Sequence, residues 1–378
     1  MPDAEYQIIV AGLGAMGSAA LYHLARRGVG VLGLDRYEPP HALGSSHGRS
    51  RIIREAYYEH PLYVPLVQRA SRLWEELERE SGATLLLRTG GLMIGPPASG
   101  LVAGARRSAD THRLRYEMLD SAELGRRFPA FRPAPDDIGL LEPGAGVLDP
   151  ERCVGTHLAR ARVHGASLRF DEPVLGWQGT ADGVIVTTTL GRYRAGRLIL
   201  AAGPWMRREL TRMELPLVVE RQCTIWFQPL ANEGDFHPRR FPVFIWEWSP
   251  GRHVYGFPDL GDGVKVAVHH EGAETSPEAV AREVTEEDER KVRSLIRRLL
   301  PDADGKRLDG AVCLYTDTPD ANFIIDRHPG DGRVVLASPC SGHGFKFSSA
   351  VGEILADLAT DIPPALDLTP FALGRFTA

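Results

Sequence analysis

The segment GVKVAVHH, residues 263–270, alternates. If extended, it turns Lys265, Ala267 and His269 to one side and Val264, Val266 and Val268 to the other. A lysine and a histidine flanking a small alanine can line a cavity that admits a flat ligand, although the pattern equally describes a strand with one exposed face. Usage of basic residues favours the cavity. Of 44 Lys and Arg, only Lys265, Lys291, Lys306 and Lys346 are Lys. A lysine in an apolar strand or beside a Gly-rich loop therefore marks a place for a compact ammonium rather than a planar guanidinium. Lys291 and Lys306 lie in charged, surface-type contexts.

Lys346 is the second such place. It stands between two phenylalanines in SGHGFKFSS, after Gly342, His343 and Gly344 and before Ser348 and Ser349, which are candidate helix N-caps. A helix N-terminus there would favour negative charge on a ligand, and Lys346 would meet a carboxylate. A tight turn with a snorkelling lysine fits the same residues. In SSHGRSRIIRE, Arg51 and Arg54 are three apart, so an extended chain points them to opposite sides, where they can flank a planar group. Arg49 reads as part of a solvated basic loop. In AVCLYTDTPD, Cys313 and Tyr315 share one side of a strand; an apolar-flanked cysteine is more often a small core residue than a reactive one.

These groups need a scaffold, and the N-terminus names its type. YQIIV reads as a buried strand, and Gly12, Gly14 and Gly17 then form G-x-G-x-x-G at the start of a helix that runs to about Arg27. VGVLGLD follows as a second strand ending at Asp35, an acid about 20 residues on. Strand, glycine turn, helix and acid together specify a dinucleotide site: pyrophosphate at the helix N-terminus and ribose hydroxyl on the carboxylate. The cationic stretch around His47, in place of another βα unit, argues against NAD. A strand ending in Ala201, Ala202 and Gly203 suits close approach to the same ligand.

Between these parts the chain makes two excursions. Residues 86–147 mix strand-like pieces with a Pro-rich stretch, and residues 216–309 are strand-rich before a charged helix, EEDERKVRSLIRRLL. The expected fold is α/β: a discontinuous Rossmann-like nucleotide domain (1–85, 148–215 and 310–378) with an inserted sheet-rich α+β substrate domain. The 378 residues, with net charge −5, give no electrostatic reason for nucleic acid or anionic membrane as partners. No apolar run reaches transmembrane length, and the opening MPDAEYQIIV lacks the pattern of a signal peptide, so the cytoplasm is expected. Cys153, Cys223, Cys313 and Cys340 are irregularly spaced and suggest neither a disulfide framework nor a metal site.

The motifs GLGAMGSAALYHLARRG, GSSHGRSRIIREAYYEHPLYVPL, YGFP, GVKVAVHH, CLYTDTPDANFIID and SGHGFKFSSAVGEIL resemble the monomeric sarcosine oxidase and N-methyltryptophan oxidase family from Tyr6 to about Leu358. The resemblance implies FAD, bound through the glycines, Asp35, Ser45 and His47, and joined covalently to Cys313. It implies that Lys265 activates O2, that Arg54 and Lys346 bind a substrate carboxylate, and that Arg51 lies across the flavin ring from the substrate. His269, Tyr255 and Tyr315 would line the substrate side. Trp246 departs from the family, which tends to carry Met there, and would narrow the cavity or stack on a bulkier amine. Cys340 is the alternative attachment site. The implied reaction oxidises the C–N bond of a small N-methyl amino acid to an imine, forms hydrogen peroxide from O2, and releases formaldehyde on hydrolysis by a monomeric enzyme. Competing readings are an oxidase of a cyclic imino acid or a glycated amino acid, a dehydrogenase with another acceptor, or a flavoprotein that only binds a ligand.

Overall fold

The apolar run of the first strand, Glu5–Ala11, is buried from Ile8 onward and pairs in parallel with Val31–Leu34 on one side and Arg192–Leu200 on the other. The computed structural model describes residues 5–206 and 208–376. The sheet built on this strand continues through Ser167–Arg169 at one edge and through Val184–Thr188 and Val174–Gly179 at the other. Asp331–Ser338 joins Arg192–Leu200 in parallel, and Ile324–His328 lies antiparallel beside it. The helices Ala15–Arg26, Tyr63–Ser81, Pro150–Val163 and Ser348–Ala359 bury their apolar faces with this sheet in one core.

A second, nine-stranded sheet carries the excursions. Its path runs Glu274–Thr275, Val218–Phe227, Val264–His269, Arg252–Phe257, Val243–Ser249, Gly91–Gly95, Ile138–Glu142 and Glu117–Leu119. The charged helix Glu286–Leu299, started by a Thr285/Asp288 capping box, packs Val292, Leu295 and Ile296 into the core that also holds Val264 and Val266. That helix covers one face of the sheet and leaves the Lys265 face turned to the nucleotide unit. A small sheet, Arg51–Ile53, Gly146–Leu148 and Leu86–Arg88, lies between.

Three expectations change. The strand bearing Cys313, Arg307–Asp317, is one long partner of Val218–Phe227, so the second sheet extends to Asp317 rather than ending at 309. The stretch 86–147 holds two helices as well as strands, Gly100–His112 and Ser121–Arg127, capped by Ser99 and Asp120. Ser348 and Ser349 do not cap their helix. The chain enters it from a 3-10 turn, Phe345–Phe347, already in helical conformation; Ser349 Oγ donates to Ala70 O at 3.1 Å, and Ser348 Oγ is buried without a partner. Among the described residues no helix is long and apolar enough to cross a membrane.

Candidate active site

Two connected cavities lie between the sheets. The first, about 410 Å³, runs along the glycine turn, and Gly12, Gly14, Asp35, Ser45, Ser46 and Gly203 are among its walls. Gly12 has φ +89°, and a Cβ there would lie 2.6 Å from Ala201 O; at Gly17 it would lie 1.7 Å from Gly12 O. Both glycines thus answer to packing of strand, turn and helix. Gly14 does not: its nearest neighbour would be Ser46 Oγ at 3.5 Å, so its missing side chain leaves room on the cavity side. Ser46 Oγ also accepts the Ala15 N–H (3.1 Å) at the helix start. Asp35 is fixed by N–H groups of Leu13 (2.6 Å) and Tyr37 (2.9 Å), each carboxylate oxygen keeping a second lone pair for a ribose hydroxyl.

The second cavity, about 130 Å³, shares Ala15, Ser45, Ser46 and Cys340 with the first and reaches under the second sheet. Strand alternation delivers its walls: Tyr255, His269, Cys313 and Tyr315 all face it, with Arg51, Arg54, Gly342, Gly344 and Lys346 contributed by the nucleotide side. Gly342 (φ +70°) is required because a Cβ would lie 2.7 Å from the Tyr315 ring and 2.9 Å from His269.

At one end Arg51 Nη2 lies 3.3 Å from Cys313 Sγ, and His47 Nε2 lies 3.5 Å from the same sulfur. Burial pushes this thiol up, but the Arg51 guanidinium and His47 outweigh it and leave it lowered to about 6. Cys340, by contrast, is pushed up to about 11 by burial and then by Asp317. Lys265 is 1 % exposed and donates to Gly48 O (2.7 Å), Ser50 O (3.1 Å) and Ser50 Oγ (3.1 Å). Burial, then Arg51, lowers it to about 7.

At the other end, Arg54 donates to both oxygens of Glu59 (2.7 Å each), packs on the rings of Tyr57 and Tyr58, and keeps its buried Nε unpaired. Burial works against its charge, yet Glu59 holds the guanidinium above its ordinary range. Lys346 Nζ donates to His343 O at 2.6 Å and lies 3.5 Å from Tyr57 OH; burial and then Arg54 lower it to about 7. His269 Nδ1 lies 3.1 Å from Tyr315 OH. Burial holds this histidine neutral and this tyrosine protonated. An outer space of about 470 Å³, sharing Tyr58, Glu59, His269 and His343 with the cavity, opens it to solvent.

Trp246 is the correction. It is 1 % exposed and packs in the core of the second sheet beside Phe131, at 6.0 Å between ring centroids. The period of two decides this: Ile245 pairs with Tyr255 on the cavity face, so Trp246, paired with Val254, faces the other way. Glu59, Ser46 and Glu151, which accepts the N–H groups of Gly48 (2.7 Å) and Arg49 (3.1 Å), were not singled out by sequence. Glu59 had a weak signal as an acid five residues past Arg54, and Ser46 stood in the small-residue loop. Glu151 had none, since it arrives from a helix 103 residues away.

The residues fit an extended dinucleotide with a flat, reactive end. Gly14 leaves a cradle that a Cβ would fill, and Ser45 Oγ and Arg54 Nε are buried polar atoms without protein partners on the two cavities. The chain is 45% identical over 358 residues to a protein named monomeric sarcosine oxidase from Streptomyces avermitilis, covering 94% of this chain and 93% of that one. It is 39% identical to an N-methyl-L-tryptophan oxidase from Citrobacter koseri, over 99% of this chain and 100% of that one. Among solved structures, the open form of NikD, described as an unusual amino acid oxidase essential for nikkomycin biosynthesis, superposes with TM-score 0.85 at 26% identity over 98% of this chain and 97% of that one. L-proline dehydrogenase from P. horikoshii shares the fold, with TM-score 0.86 at 22% identity over 99% of this chain and 98% of that one. Residues 7–358 match the family DAO, FAD dependent oxidoreductase, and the chain belongs to that family.

Proposed function

We propose that this enzyme oxidises the C–N bond of a small N-methyl amino acid, sarcosine-like, to an imine, with O2 as the electron acceptor. The observation that carries the reading is the pair of cations, Arg54 and Lys346, on one wall of a 130 Å³ cavity whose opposite end holds Cys313 and Arg51, with Lys265 buried beside them behind Gly48. Bound FAD supplies the two-electron acceptance that such a bond needs and returns the electrons to O2. Arg54 Nε and Lys346 Nζ bind the substrate carboxylate. The same positive charges favour the neutral form of the substrate amine, which has the lone pair needed for oxidation. His269 and Tyr315, uncharged, orient that amine without competing for its proton. Lys265, when protonated, contributes a positive charge where O2 becomes negative. The Cys313 thiolate, beside Arg51 and His47, is the covalent attachment point for the flavin. The imine takes up water and yields formaldehyde and the demethylated amino acid, with one hydrogen peroxide per turnover. The enzyme acts as a monomer in the cytoplasm, a reading supported by the word monomeric in the name of the Streptomyces avermitilis relative and by the unpaired state of Cys153, Cys223, Cys313 and Cys340.

The test is peroxide release by the purified holoenzyme with sarcosine, N-methyl-tryptophan, other N-methyl amino acids, pipecolate, proline and fructosyl-amino acids. Peroxide with stoichiometric formaldehyde from an N-methyl substrate is the expected result. Peroxide from the cyclic or glycated amines alone would move the substrate, and silence throughout would overturn the reading.

A further inference from the structure

Asp309, Trp226, Lys265 and Phe257 form one row across four adjacent strands, each a direct cross-strand partner of the next. Side chains in such a row share a face and touch. Lys265 Nζ lies 5.0 Å from the centroid of the Trp226 ring and 4.8 Å from that of Phe257, so the ammonium is clamped between two aromatic neighbours. The indole is pinned in turn. The Arg49 guanidinium lies 4.6 Å from its centroid and is anchored by Asp262 (2.9 Å) and by Asp309 of the same row. Arg49 takes φ +64° and Gly48 φ +98°, and these left-handed conformations turn Gly48 O onto Lys265 Nζ. Arg49 thus has two aspartates to balance it, whereas no carboxylate among the described residues forms an ion pair with Lys265.

We propose that Trp226 is a positioning residue for Lys265, its ring locked by the Arg49–Asp309 pair and its face holding the ammonium at the O2-reactive end of the cavity. The inference rests on the reading of Lys265 as the group that promotes reaction with O2. A cation is attracted to the indole face and a neutral amine is not, so the ring favours the charged lysine that the chemistry needs. The other charged or titratable groups around Lys265 are Arg51 and Cys313 beside it, Glu151 from the helix Pro150–Val163, and Asp262 before its own strand, which anchors Arg49; none of them is hydrogen-bonded to the Trp226 side chain among the described residues.

The experiment uses holoenzyme whose flavin has been reduced photochemically, so no substrate assumption enters, mixed with O2 from pH 6 to 10 while flavin absorbance reports reoxidation. Lys265→Met is expected to slow reoxidation by at least about tenfold. Trp226→Leu is expected to slow it several-fold and to move the alkaline fall of the rate about 0.5–1 pH unit lower, and Trp226→Phe to restore most of both. A Trp226→Leu profile superposable on wild type, with Lys265→Met slow, overturns the role of Trp226. A Lys265→Met enzyme that reoxidises like wild type overturns the reading beneath it instead. Should Trp226→Leu fail to fold, Asp309→Asn loosens the Arg49 lock from the surface. A shift in the same direction supports the proposal, and an unmoved profile overturns it.

Discussion

Arg51 Nη2 donates to Cys313 Sγ at 3.3 Å while the same nitrogen donates to Ser45 O at 2.9 Å, so the guanidinium ties the sulfur to the loop that joins the two cavities. A thiolate is the nucleophilic form of cysteine, and this contact makes it the resting form at neutral pH. In flavin-free protein, Cys313 should react with iodoacetamide with a midpoint near the value of about 6 at which Arg51 and His47 hold it against burial. Arg51→Met should move that midpoint up by a unit or more, roughly the effect of losing one adjacent cation. In holoenzyme, Cys313→Ser should release all flavin on acid precipitation, whereas Cys340→Ser should release none, because burial holds Cys340 as the inert thiol.

Carboxylate recognition should titrate. Lys346, lowered to about 7 by burial and then by Arg54, is charged below that pH and neutral above it. The affinity for a simple carboxylate such as propionate, followed by flavin absorbance, should therefore weaken as pH rises through about 7. Lys346→Met should bind more weakly at pH 6 and lose this pH dependence. Arg54→Met should weaken binding at every pH, by about 10-fold or more, as expected when a charge-assisted contact is removed. Affinity unchanged in Arg54→Met would exclude it from carboxylate binding.

The sequence announced the parts of this site whose signals are local. The glycine turn with Asp35 could be read directly because strand, G-x-G-x-x-G turn, helix and acid follow one another along the chain, and the alternation of GVKVAVHH placed Lys265 and His269 on the face they occupy. What stayed hidden depends on partners far along the chain. Glu59 reads as any surface acid until Arg54 is seen folded onto it, and Trp226 is one more strand aromatic until the register sets it between Arg49 and Lys265. The helix Gly100–His112 was obscured by glycines that lower helix propensity. Gly104 is there because a Cβ would lie 2.3 Å from Tyr58 O, a tertiary demand invisible to local pattern.

Trp246 offers a test of strand phase. Since it fills the core between Phe131 and the second sheet, Trp246→Met should leave substrate preference unchanged and lower stability by about 1–3 kcal/mol through lost packing. Ile245, on the cavity face, should behave in the opposite way. Ile245→Ala should broaden acceptance of larger N-alkyl groups, measured as a ratio of kcat/KM values, at smaller cost to the fold. A change of preference in Trp246→Met without one in Ile245→Ala would reverse this assignment.

Glu80 should govern acid stability at a distance from the chemistry. Its Oε1 accepts from Arg160 Nε (2.8 Å) and lies 2.9 Å from His164 Nε2, and its Oε2 accepts from Tyr22 OH. The carboxylate thus joins three helices: Ala15–Arg26, its own Tyr63–Ser81, and Pro150–Val163 with the residue that follows. Burial raises this carboxyl, but the hydrogen bonds from Tyr22, His164 and Arg160 outweigh it and hold it down at about 2. A carboxylate depressed in the folded state stabilises fully above its ordinary value of 4.5, and the contribution is lost as pH falls towards about 2. Thermal unfolding of Glu80→Gln should therefore lie below wild type at pH 6 and converge with it as pH falls from 4.5 towards 2. A constant gap between the two curves across that interval would mean that Glu80 acts through shape and neutral hydrogen bonding, and that its charge contributes nothing.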